Sequence, residues 1–328
     1  MRSVAVYNPN KVKRIFSLWK EVLPNVKPYY AIKSFSDKRI LRTLSSFENI
    51  GFDVASKGEI NKVKGYGKDM ILSHPYKQKE DILYAKKNKV SYIVADCEEE
   101  IKKIKNIYPE SKIVWRIKSY EDNSEIKFNS KFGASIEDTV KVLKEVDVFG
   151  MSYHVGSKCR DMSSHLKTID SILSLKSGIQ MIDIGGGFSK EEDVYKLKPI
   201  LTSLSDKFKV IAEPGRLFSQ ECITLYTKVI GVKVEGNVQN IYINDSVYNS
   251  FSGKVYDHQE FDIPLELRGG YKSVIWGNTC DGEDVIVRDV YMKKMSYGDV
   301  IRWDNMGAYS LCSSVDGFNG FKRAVVKV

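Results

Sequence analysis

The sequence predicts an α/β chain in two parts, a (β/α)8 TIM-like barrel followed by a C-terminal all-β domain. Two observations support this prediction. Eight short apolar runs alternate with amphipathic or loop segments, at about 29–33, 51–54, 70–73, 91–94, 113–117, 148–154, 180–184 and 209–212. Beyond about residue 222 the pattern changes to alternating runs such as NIYIND and DVIRW, separated by turns rich in Gly, Asn and Asp.

The eight apolar runs are interpreted as the strands of one closed barrel, because eight repeats of strand and connection match that fold. A doubly wound sheet is the alternative, but its usual G-x-G-x-x-G pattern does not follow the first strand. A helix is expected before the barrel, since Val12, Phe16 and Trp19 share one helical face. We therefore assign residues 1–220 to the barrel and 221–328 to the β domain.

Composition excludes several classes of protein. The 328 residues are 42% hydrophobic and 28% charged, which is typical of a globular chain of one large or two ordinary domains. The net charge of +9 is spread along the sequence rather than gathered in a basic block, which argues against nucleic-acid binding. No stretch approaches the run of about 20 apolar residues that spans a bilayer, and no export signal is indicated.

The five cysteines, at 97, 159, 222, 280 and 312, form no CxxC pair and show no zinc-ligand spacing with histidine. We therefore expect free thiols in a reducing cytoplasm, and we expect no metal site.

Polar residues recur where the predicted barrel strands end. In a barrel of this type the reactive groups lie at the C-terminal ends of the strands. The residues at these positions are Lys33, Asp53, His74, Asp96, Arg116, His154, Gly185, Gly186 and Gly187, and Glu213 with Arg216. The sequence therefore predicts a reaction site at this end of the barrel.

Lys33 ends the aromatic run PYYAIK, which we expect inside the barrel. Desolvation would favour its uncharged amine, which suits a lysine that forms a Schiff base. The alternative is a lysine that extends to solvent, the more common outcome for one lysine alone. His154, on an apolar strand, has a similar alternative as an ordinary core histidine.

The segment IDIGGGFSKEED places three consecutive glycines between a strand and a helix, where backbone N–H groups can approach a phosphate. A tight turn without a ligand is an equal alternative. Glu213 follows the last barrel strand, and Pro214 and Gly215 turn the chain before Arg216. A carboxylate facing a pyridinium nitrogen would keep it protonated, as pyridoxal phosphate requires. Glu213 and Arg216 could also pair with each other.

Eight motifs together resemble those of the fold-type III, alanine racemase-like amino-acid decarboxylases, in particular the ornithine decarboxylase group. They are PYYAIK, GFDVASKGE, KFGA, HVGS, DIGGGF, EPGR, WGNTCDGED and NMGAY, and their order and spacing match over nearly the whole chain. The resemblance implies pyridoxal 5'-phosphate as cofactor and a homodimer whose active sites contain residues of both subunits. It also implies decarboxylation of a basic amino acid, with L-ornithine giving putrescine in polyamine biosynthesis.

The resemblance also implies roles for individual residues. Lys33 would be the Schiff-base lysine, Glu213 would face the pyridine nitrogen, and His154 would stack on the ring. The other residues expected at the cofactor are Asp53, Glu59, Arg116, Ser157, Gly185, Gly186, Gly187, Gly215, Arg216 and Tyr309. Of these, Ser157, the three consecutive glycines, Arg216 and Tyr309 would bind the phosphate.

From the other subunit, Cys280 would protonate the substrate carbon after CO2 leaves, and Asp281 would bind the distal amine of the substrate. Lys131 and Asp284 resemble a salt bridge across the same interface. Asp257 matches a position that binds the far ammonium group of ornithine, and Tyr248 and Tyr256 are expected beside it. Cys280 could instead be an inert packed thiol, and the salt bridge an ordinary surface contact.

Two departures from the family pattern lead to further expectations. The chain begins almost at the first barrel helix, so the N-terminal strands of the β domain are expected to be missing. Lys158 stands where the HVGS motif usually continues with glycine, beside the expected phosphate site, and could alter cofactor affinity or substrate preference.

Three alternative functions remain open. The first is a lysine/ornithine or arginine decarboxylase on the same scaffold. The second is a catalytically inactive binding protein that resembles the antizyme inhibitors, although the expected catalytic residues, among them Lys33, Glu213 and Cys280, are all present. The third, nucleic-acid binding, rests on net charge alone.

Overall fold

The structure, a computed structural model, describes residues 2–328. It contains two compact units, one formed by Lys13–Leu217 and the other by the segment that ends at Val12 together with Phe218–Val328. The expected division at residue 220 placed the N-terminal segment with the barrel. In the structure that segment groups with the C-terminal part, because it forms a strand there.

The strands and longer helices follow one another along the whole chain. The strands are β1 (Val4–Tyr7), β2 (Val26–Ala31), β3 (Gly51–Val54), β4 (Asp69–Leu72), β5 (Tyr92–Ala95), β6 (Lys112–Arg116), β7 (Ser124–Ile126), β8 (Gly150–Ser152), β9 (Ser157–Cys159), β10 (Met181–Asp183), β11 (Lys209–Ala212), β12 (Ile223–Glu235), β13 (Val238–Ile243), β14 (Arg268–Trp276), β15 (Val285–Met292), β16 (Val300–Trp303) and β17 (Val325–Lys327). The helices are α1 (Pro9–Val22), α2 (Lys38–Ser45), α3 (Lys57–Val63), α4 (Lys79–Lys87), α5 (Glu98–Ile107), α6 (Ile136–Glu145), α7 (Ser163–Ser174), α8 (Glu191–Ser205), α9 (Arg216–Ser219) and α10 (Gly253–Tyr256).

Eight parallel strands close the barrel in the order β2, β3, β4, β5, β6, β8, β10 and β11, with β11 pairing back onto β2. This confirms the predicted (β/α)8 barrel, and each strand overlaps an apolar run of the sequence. The interior is filled by buried side chains, because both faces of each strand are covered. The central cluster contains Tyr29, Ile71, Tyr92, Val94, Val114, Met181 and Ile211.

Helix starts in the barrel unit are fixed by short polar side chains. Asp37 accepts the N–H of Arg39 at the start of α2, Ser56 accepts that of Glu59 in α3, and Ser135 caps α6. Such caps satisfy N–H groups that have no partner within the helix, each contributing about 1 kcal/mol. They also fix the residue at which each loop after a strand ends, and these loops carry the polar residues at the C-terminal end of the barrel.

The second unit contains a mixed sheet in the order β15, β14, β13, β12, β1 and β17, with β16 pairing onto β12. This confirms the expected β region. Strand β1 pairs antiparallel with β12, Val4 opposite Tyr226, and parallel with β17. The expectation that N-terminal strands are missing is therefore wrong for this strand. A run of four residues, VAVY, gives too short an alternation to be recognised against the helix that follows it.

None of the helices within residues 2–328 combines the length and the apolar composition needed to cross a bilayer.

Candidate active site

An ion pair lies at the C-terminal end of the barrel, between Lys33 and Asp53. Lys33 occupies a single helical turn that follows β2, and its Nζ lies 2.7 Å from Oδ2 of Asp53 in the neighbouring strand β3. The second oxygen of Asp53 accepts the hydroxyl of Ser73. The Asp53 carboxylate is 1% exposed and therefore fixed, so it can hold the lysine amine in one place.

The structure corrects the argument that led to Lys33 from sequence. Its side chain is 42% exposed, so the amine is not desolvated as the apolar run suggested. Lys33 stands two residues beyond the last strand residue, Ala31, where the barrel opens. Proximity to Asp53, and not burial of the amine, distinguishes this lysine from a surface lysine.

Glu59 lies beside this pair. Its Oε2 accepts the backbone N–H of Ala55 at 2.7 Å, which orients the carboxyl group. Burial, followed by the nearby Asp53 charge, raises the pKa of Glu59, although the Ala55 hydrogen bond and Lys33 oppose the shift.

His154 follows β8 and is held in a defined protonation state. Its Nδ1 accepts the N–H of Gly156 at 3.1 Å, so the proton of the neutral ring is on Nε2. Burial lowers the pKa of His154 well below its usual value, and the charges of Arg116 and Lys33 lower it further. The ring meets Phe128 edge to face, with 4.9 Å between centroids. The imidazole is therefore neutral and rigid near pH 7.

The three glycines after β10 leave no room for side chains. A Cβ on Gly185 would lie 2.3 Å from the Tyr153 carbonyl oxygen, and one on Gly186 would lie 2.8 Å from Nε2 of His154. Gly185 and Gly187 have φ of 62° and 100°, which glycine adopts readily. Within residues 2–328, the N–H groups of Gly186 and Gly187 have no hydrogen-bond acceptor. The turn therefore offers two backbone donors to an anion.

Arg216 and Ser157 extend this group of donors. Arg216 begins α9, is 7% exposed, and donates from Nη2 to the hydroxyl oxygen of Ser157 at 3.1 Å. The preceding Gly215 packs tightly, since a Cβ there would lie 3.0 Å from that of Ser34. A guanidinium and a hydroxyl at this spacing suit a phosphate group.

Glu213 is the most strongly perturbed acid of the site. It is 7% exposed, and its Oε1 has no hydrogen-bond partner among residues 2–328. Burial raises its pKa well above the usual range, and the carboxyl groups of Asp183 and Asp53 raise it further. A buried acid oxygen without a partner is costly, by about 1–3 kcal/mol. Glu213 would therefore be stabilised by a hydrogen-bond donor next to this oxygen.

Asp183, the last residue of β10, was not identified from the sequence. It is 1% exposed, and its Oδ1 accepts the N–H of Gly185 at 2.9 Å. Burial raises its pKa to about 7. The available signal was an acidic residue inside an otherwise apolar strand directly before the glycines, because such a residue must have a partner.

Arg116 ends β6, with its guanidinium carbon 5.0 Å from the centroid of the Phe132 ring. Burial lowers the pKa of Arg116, while Glu213 and other acids oppose the shift.

His74 and Asp96, also expected at the strand ends, are held in local contacts. His74 accepts the N–H of Tyr76 at 3.1 Å, and Asp96 accepts that of Gly133 at 2.8 Å.

Lys158 lies in the two-stranded ribbon of β7 and β9, with φ of 52°. Ser157 pairs with Ile126 and Cys159 with Ser124, so Lys158 is opposite Glu125, and their charged groups lie 3.4 Å apart. Lys158 therefore joins the two strands of the ribbon that carries Ser157.

In the second unit, the loop of residues 277–284 contains Cys280 and Asp281. The backbone N–H of Cys280 donates to Oδ1 of Asn319 at 2.9 Å, and its side chain is exposed. The Tyr248 hydroxyl donates to Asp281, and the Tyr248 ring stacks on Phe318 at 4.0 Å. Hydrogen bonds from the Glu283 N–H and from Tyr248 lower the pKa of Asp281. The loop is thus fixed from both sides while its thiol stays accessible.

Asp284 closes the same loop and is 1% exposed. It accepts the N–H of Val247 at 2.9 Å and both the N–H and the hydroxyl of Thr279, at 3.0 and 2.7 Å. These bonds hold the start of the loop that carries Cys280. The salt bridge expected between Asp284 and Lys131 of another subunit stays a prediction.

The remaining expected site residues, Asp257, Tyr256 and Tyr309, lie in the second unit. Asp257 is 4% exposed and accepts Nε2 of Gln259 at 2.9 Å, while Tyr256 is 64% exposed. Tyr309 adopts φ of 52°, and its carbonyl oxygen accepts the Ser313 hydroxyl at 3.0 Å. The part of the chain that the structure describes holds no group of three or more His, Cys, Asp or Glu side chains suited to a metal ion.

The barrel residues fit pyridoxal phosphate. The turn of Gly186 and Gly187 offers backbone donors, and Arg216 and Ser157 offer side-chain donors, for the phosphate. Glu213 presents an oxygen without a partner to a basic ring nitrogen. A Cβ on Gly186 would collide with His154, so only glycine fits at this position of the turn.

Comparison with known proteins gives a consistent result. Residues 9–220 match the model of the pyridoxal-dependent decarboxylase family, pyridoxal binding domain. Ornithine decarboxylase of Mus musculus is 34% identical over 93% of this chain and 76% of its own length. Antizyme inhibitor 2 of Xenopus laevis is 33% identical, with the same coverage of 93% and 76%.

Solved structures agree in fold. The arginine decarboxylase of Paramecium bursaria Chlorella virus superposes with a TM-score of 0.90 at 28% identity, covering 100% of this chain and 95% of that one. The lysine/ornithine decarboxylase of Vibrio vulnificus, complexed with putrescine, gives a TM-score of 0.88 at 27% identity and coverage of 99% and 93%. With a family match over most of its length and relatives of this similarity, the chain belongs to the pyridoxal-dependent decarboxylases of fold type III.

Proposed function

We propose that this protein is a pyridoxal-phosphate-dependent carboxy-lyase that converts L-ornithine to putrescine and CO2, a step of polyamine biosynthesis. The observation that carries the proposal is the barrel-end cluster, which we define as Lys33, Asp53, Arg116, His154, Asp183 and Glu213. It joins a lysine held by a fixed carboxylate, a neutral histidine and an acid without a full set of partners. The two relatives whose names include ornithine support the choice of substrate.

Residues at the C-terminal end of the barrel hold the cofactor. Lys33 carries the amine to which the cofactor attaches, and Asp53 fixes the position of that amine. Arg216, Ser157 and the glycine turn bind the phosphate. His154, neutral and rigid, packs against the ring.

Glu213 determines the electronic state of the site. When bound, the cofactor supplies an electron sink for the bonding pair left on the substrate α-carbon as CO2 departs. Glu213 holds a proton on the ring nitrogen, because the buried carboxylate gains a charged hydrogen-bond partner there and loses its unsatisfied oxygen. Arg116 offsets the negative charge of the surrounding acids.

The substrate end involves the second unit. Asp257 and Asp281 bind the distal ammonium group, and Tyr248 orients Asp281 through its hydroxyl. Tyr256 adjoins them. The Cys280 thiol delivers a proton to the α-carbon after CO2 leaves, and its exposure is what such a donor needs.

Cys280 and Asp281 act, in this proposal, on the barrel of a second copy in a homodimer. The test mixes inactive Lys33→Ala and Cys280→Ala proteins. If subunits exchange at random, about half of the dimers are mixed and each has one intact site, so about a quarter of wild-type activity returns. No recovery, with exchange shown by a tag on one variant, would contradict shared sites.

Two other functions are supported by particular relatives. A lysine/ornithine preference is supported by the Vibrio vulnificus structure, and an inactive binding role by the antizyme inhibitor. The decisive experiment measures CO2 release from ornithine, lysine and arginine by the purified protein loaded with cofactor, with Lys33→Ala as control. Ornithine is expected to give the highest kcat/KM, and Lys33→Ala to lose both activity and the visible absorbance of the attached cofactor. No CO2 release from any of the three would contradict the enzyme.

We also place the protein in the cytoplasm. All five cysteines are free thiols, which a reducing compartment maintains. Fractionation of cells that express the protein tests this placement, and recovery from an oxidising compartment would contradict it.

A further inference from the structure

Two carboxyl groups meet at the end of adjacent barrel strands. Asp183 ends β10 and Glu213 follows β11, and these strands pair in parallel. The side chains are 1% and 7% exposed. Met181 and Ile211, two residues before them on the paired strands, pack in the central cluster, so both carboxyl groups point into the barrel interior from neighbouring strand ends. Ionised carboxylates only accept hydrogen bonds, so two such groups can bond to each other only when they share a proton.

Backbone hydrogen bonds hold the same two residues in register. The N–H of Gly185 donates to Oδ1 of Asp183 at 2.9 Å, and the N–H of Glu213 donates to the Gly185 carbonyl oxygen at 2.7 Å. Asp183 is thus connected to Glu213 through Gly185. The same carboxyl group fixes the first residue of the glycine turn and the acid that faces the ring.

The charges that face the pair also favour one shared proton. The charged groups that face it are Asp53 from β3, Lys33 after β2 and Arg116 at the end of β6, with His154 neutral after β8 and the phenols of Tyr29 and Tyr153 nearby. Three acids, Asp53, Asp183 and Glu213, therefore face two cations. One shared proton leaves two negative charges against two positive ones, which a buried site tolerates far better than an excess.

We infer that Asp183 is a positioning residue that shares one proton with Glu213 and holds the Glu213 carboxyl in place for the cofactor ring. This inference rests on the proposed role of Glu213. When Glu213 accepts a hydrogen bond from the protonated ring nitrogen, the shared proton would stay on Asp183, which would then donate to Glu213 and still accept the N–H of Gly185. Burial raises the pKa of both acids, as this arrangement requires.

An amide has the same hydrogen-bond pattern as a protonated carboxyl group. Asp183→Asn therefore keeps the hydrogen bonds of the side chain but removes the titrating proton. We expect Asp183→Ala to lower kcat for ornithine at pH 7 by tenfold or more, and Asp183→Asn to lower it by a smaller factor. Cofactor affinity, titrated by fluorescence, should follow the same order.

A second readout uses the cofactor-free protein and is independent of activity. An acid whose pKa is raised on folding binds more protons folded than unfolded, so its stability contribution falls as pH rises from about 4 to about 7. The Tm of wild type should therefore fall more between pH 5 and pH 8 than that of Asp183→Asn. The infrared C=O band of a protonated carboxyl at pH 6 should be weaker in Asp183→Asn than in wild type.

The matched control is Asp193→Asn. Asp193 is also 1% exposed in the barrel unit, but its carboxylate accepts the N–H groups of Ser189 and Lys190 at the start of α8. This variant should keep the wild-type pH dependence of Tm and the wild-type infrared band. The inference is overturned if Asp183→Asn shows that same wild-type behaviour, or if it impairs kcat as much as Asp183→Ala.

The Glu213→Gln variant distinguishes failure of the shared-proton inference from failure of the proposed function. If Glu213→Gln leaves kcat unchanged, the role of Glu213 itself is wrong, whatever Asp183 does. If Glu213→Gln is slow while Asp183→Asn matches wild type in Tm and infrared band, only the shared proton is wrong. Should Asp183→Ala fail to fold, the comparison of Asp183→Asn with Asp193→Asn still decides the question.

Discussion

The barrel-end cluster and the 277–284 loop use opposite physical means to prepare reactive groups. In the cluster, burial shifts the pKa values of Arg116, His154, Asp183 and Glu213 away from their usual values. In the loop, Cys280 is exposed and its neighbours are fixed by hydrogen bonds from Asn319 and Tyr248. The cluster is thus tuned electrostatically within one unit, whereas the loop is positioned but left accessible, as expected of groups that act on another surface.

The sharpest test of the cluster is Glu213→Gln. An amide cannot hold a proton on the ring nitrogen, so kcat should fall by about 10²- to 10³-fold while the cofactor stays bound. Steady-state kinetics together with the absorbance of the bound cofactor measure both quantities. Glu110→Gln, at a side chain that is 68% exposed, is the control and should behave as wild type. Unchanged turnover in Glu213→Gln would show that the cluster is not tuned through this acid.

Asp257→Ala tests the substrate end. A charge-assisted hydrogen bond contributes about 1.5–3 kcal/mol, so kcat/KM for ornithine should fall by about tenfold to about 150-fold. Cofactor binding should not change. Asp289→Ala, whose side chain is 75% exposed in the same unit, is the control. Ornithine kinetics equal to wild type in Asp257→Ala would mean that the distal amine is bound elsewhere.

Asn319→Gly tests whether the loop depends on positioning. Asn319 has φ of 48°, which glycine tolerates, so this change removes only the acceptor of the Cys280 N–H. Loss of one such bond, worth about 1 kcal/mol, should lower kcat about fivefold and leave cofactor affinity unchanged. Asn237→Gly in the exposed turn between β12 and β13 is the control. An equal loss in both variants would point to general destabilisation.

The smallest effect is expected for Lys158→Gly. Glycine relieves the positive φ, which stabilises by about 0.4–1 kcal/mol or more, while the half-exposed ion pair with Glu125 contributes about 0–1 kcal/mol. The free energy of unfolding should therefore rise slightly or stay level. Urea titration of Lys158→Gly beside Glu125→Gln separates the two contributions. A loss above about 1 kcal/mol would show that the ribbon depends on the ion pair.

Much of the fold could be read from the residues. The eight buried runs coincide with barrel strands because strands covered on both faces need continuous apolar sequence, which leaves a clear signal. Strand β1 was missed, since its four residues join β12, more than 200 positions away in the chain, and nothing local marks that pairing. Asp183 was missed because its importance depends on Glu213, 30 residues later.

The sequence by itself determined the barrel, the β region and the polar residues at the strand ends, because periodicity and motif order are local properties of the chain. Only the tertiary structure decided how those residues act. Lys33 lies exposed beside Asp53, Lys158 pairs with Glu125, and Asp183 and Glu213 stand at the ends of neighbouring strands. Burial and proximity set protonation and hydrogen bonding, and both depend on which strands become neighbours, a property that no short segment of sequence contains.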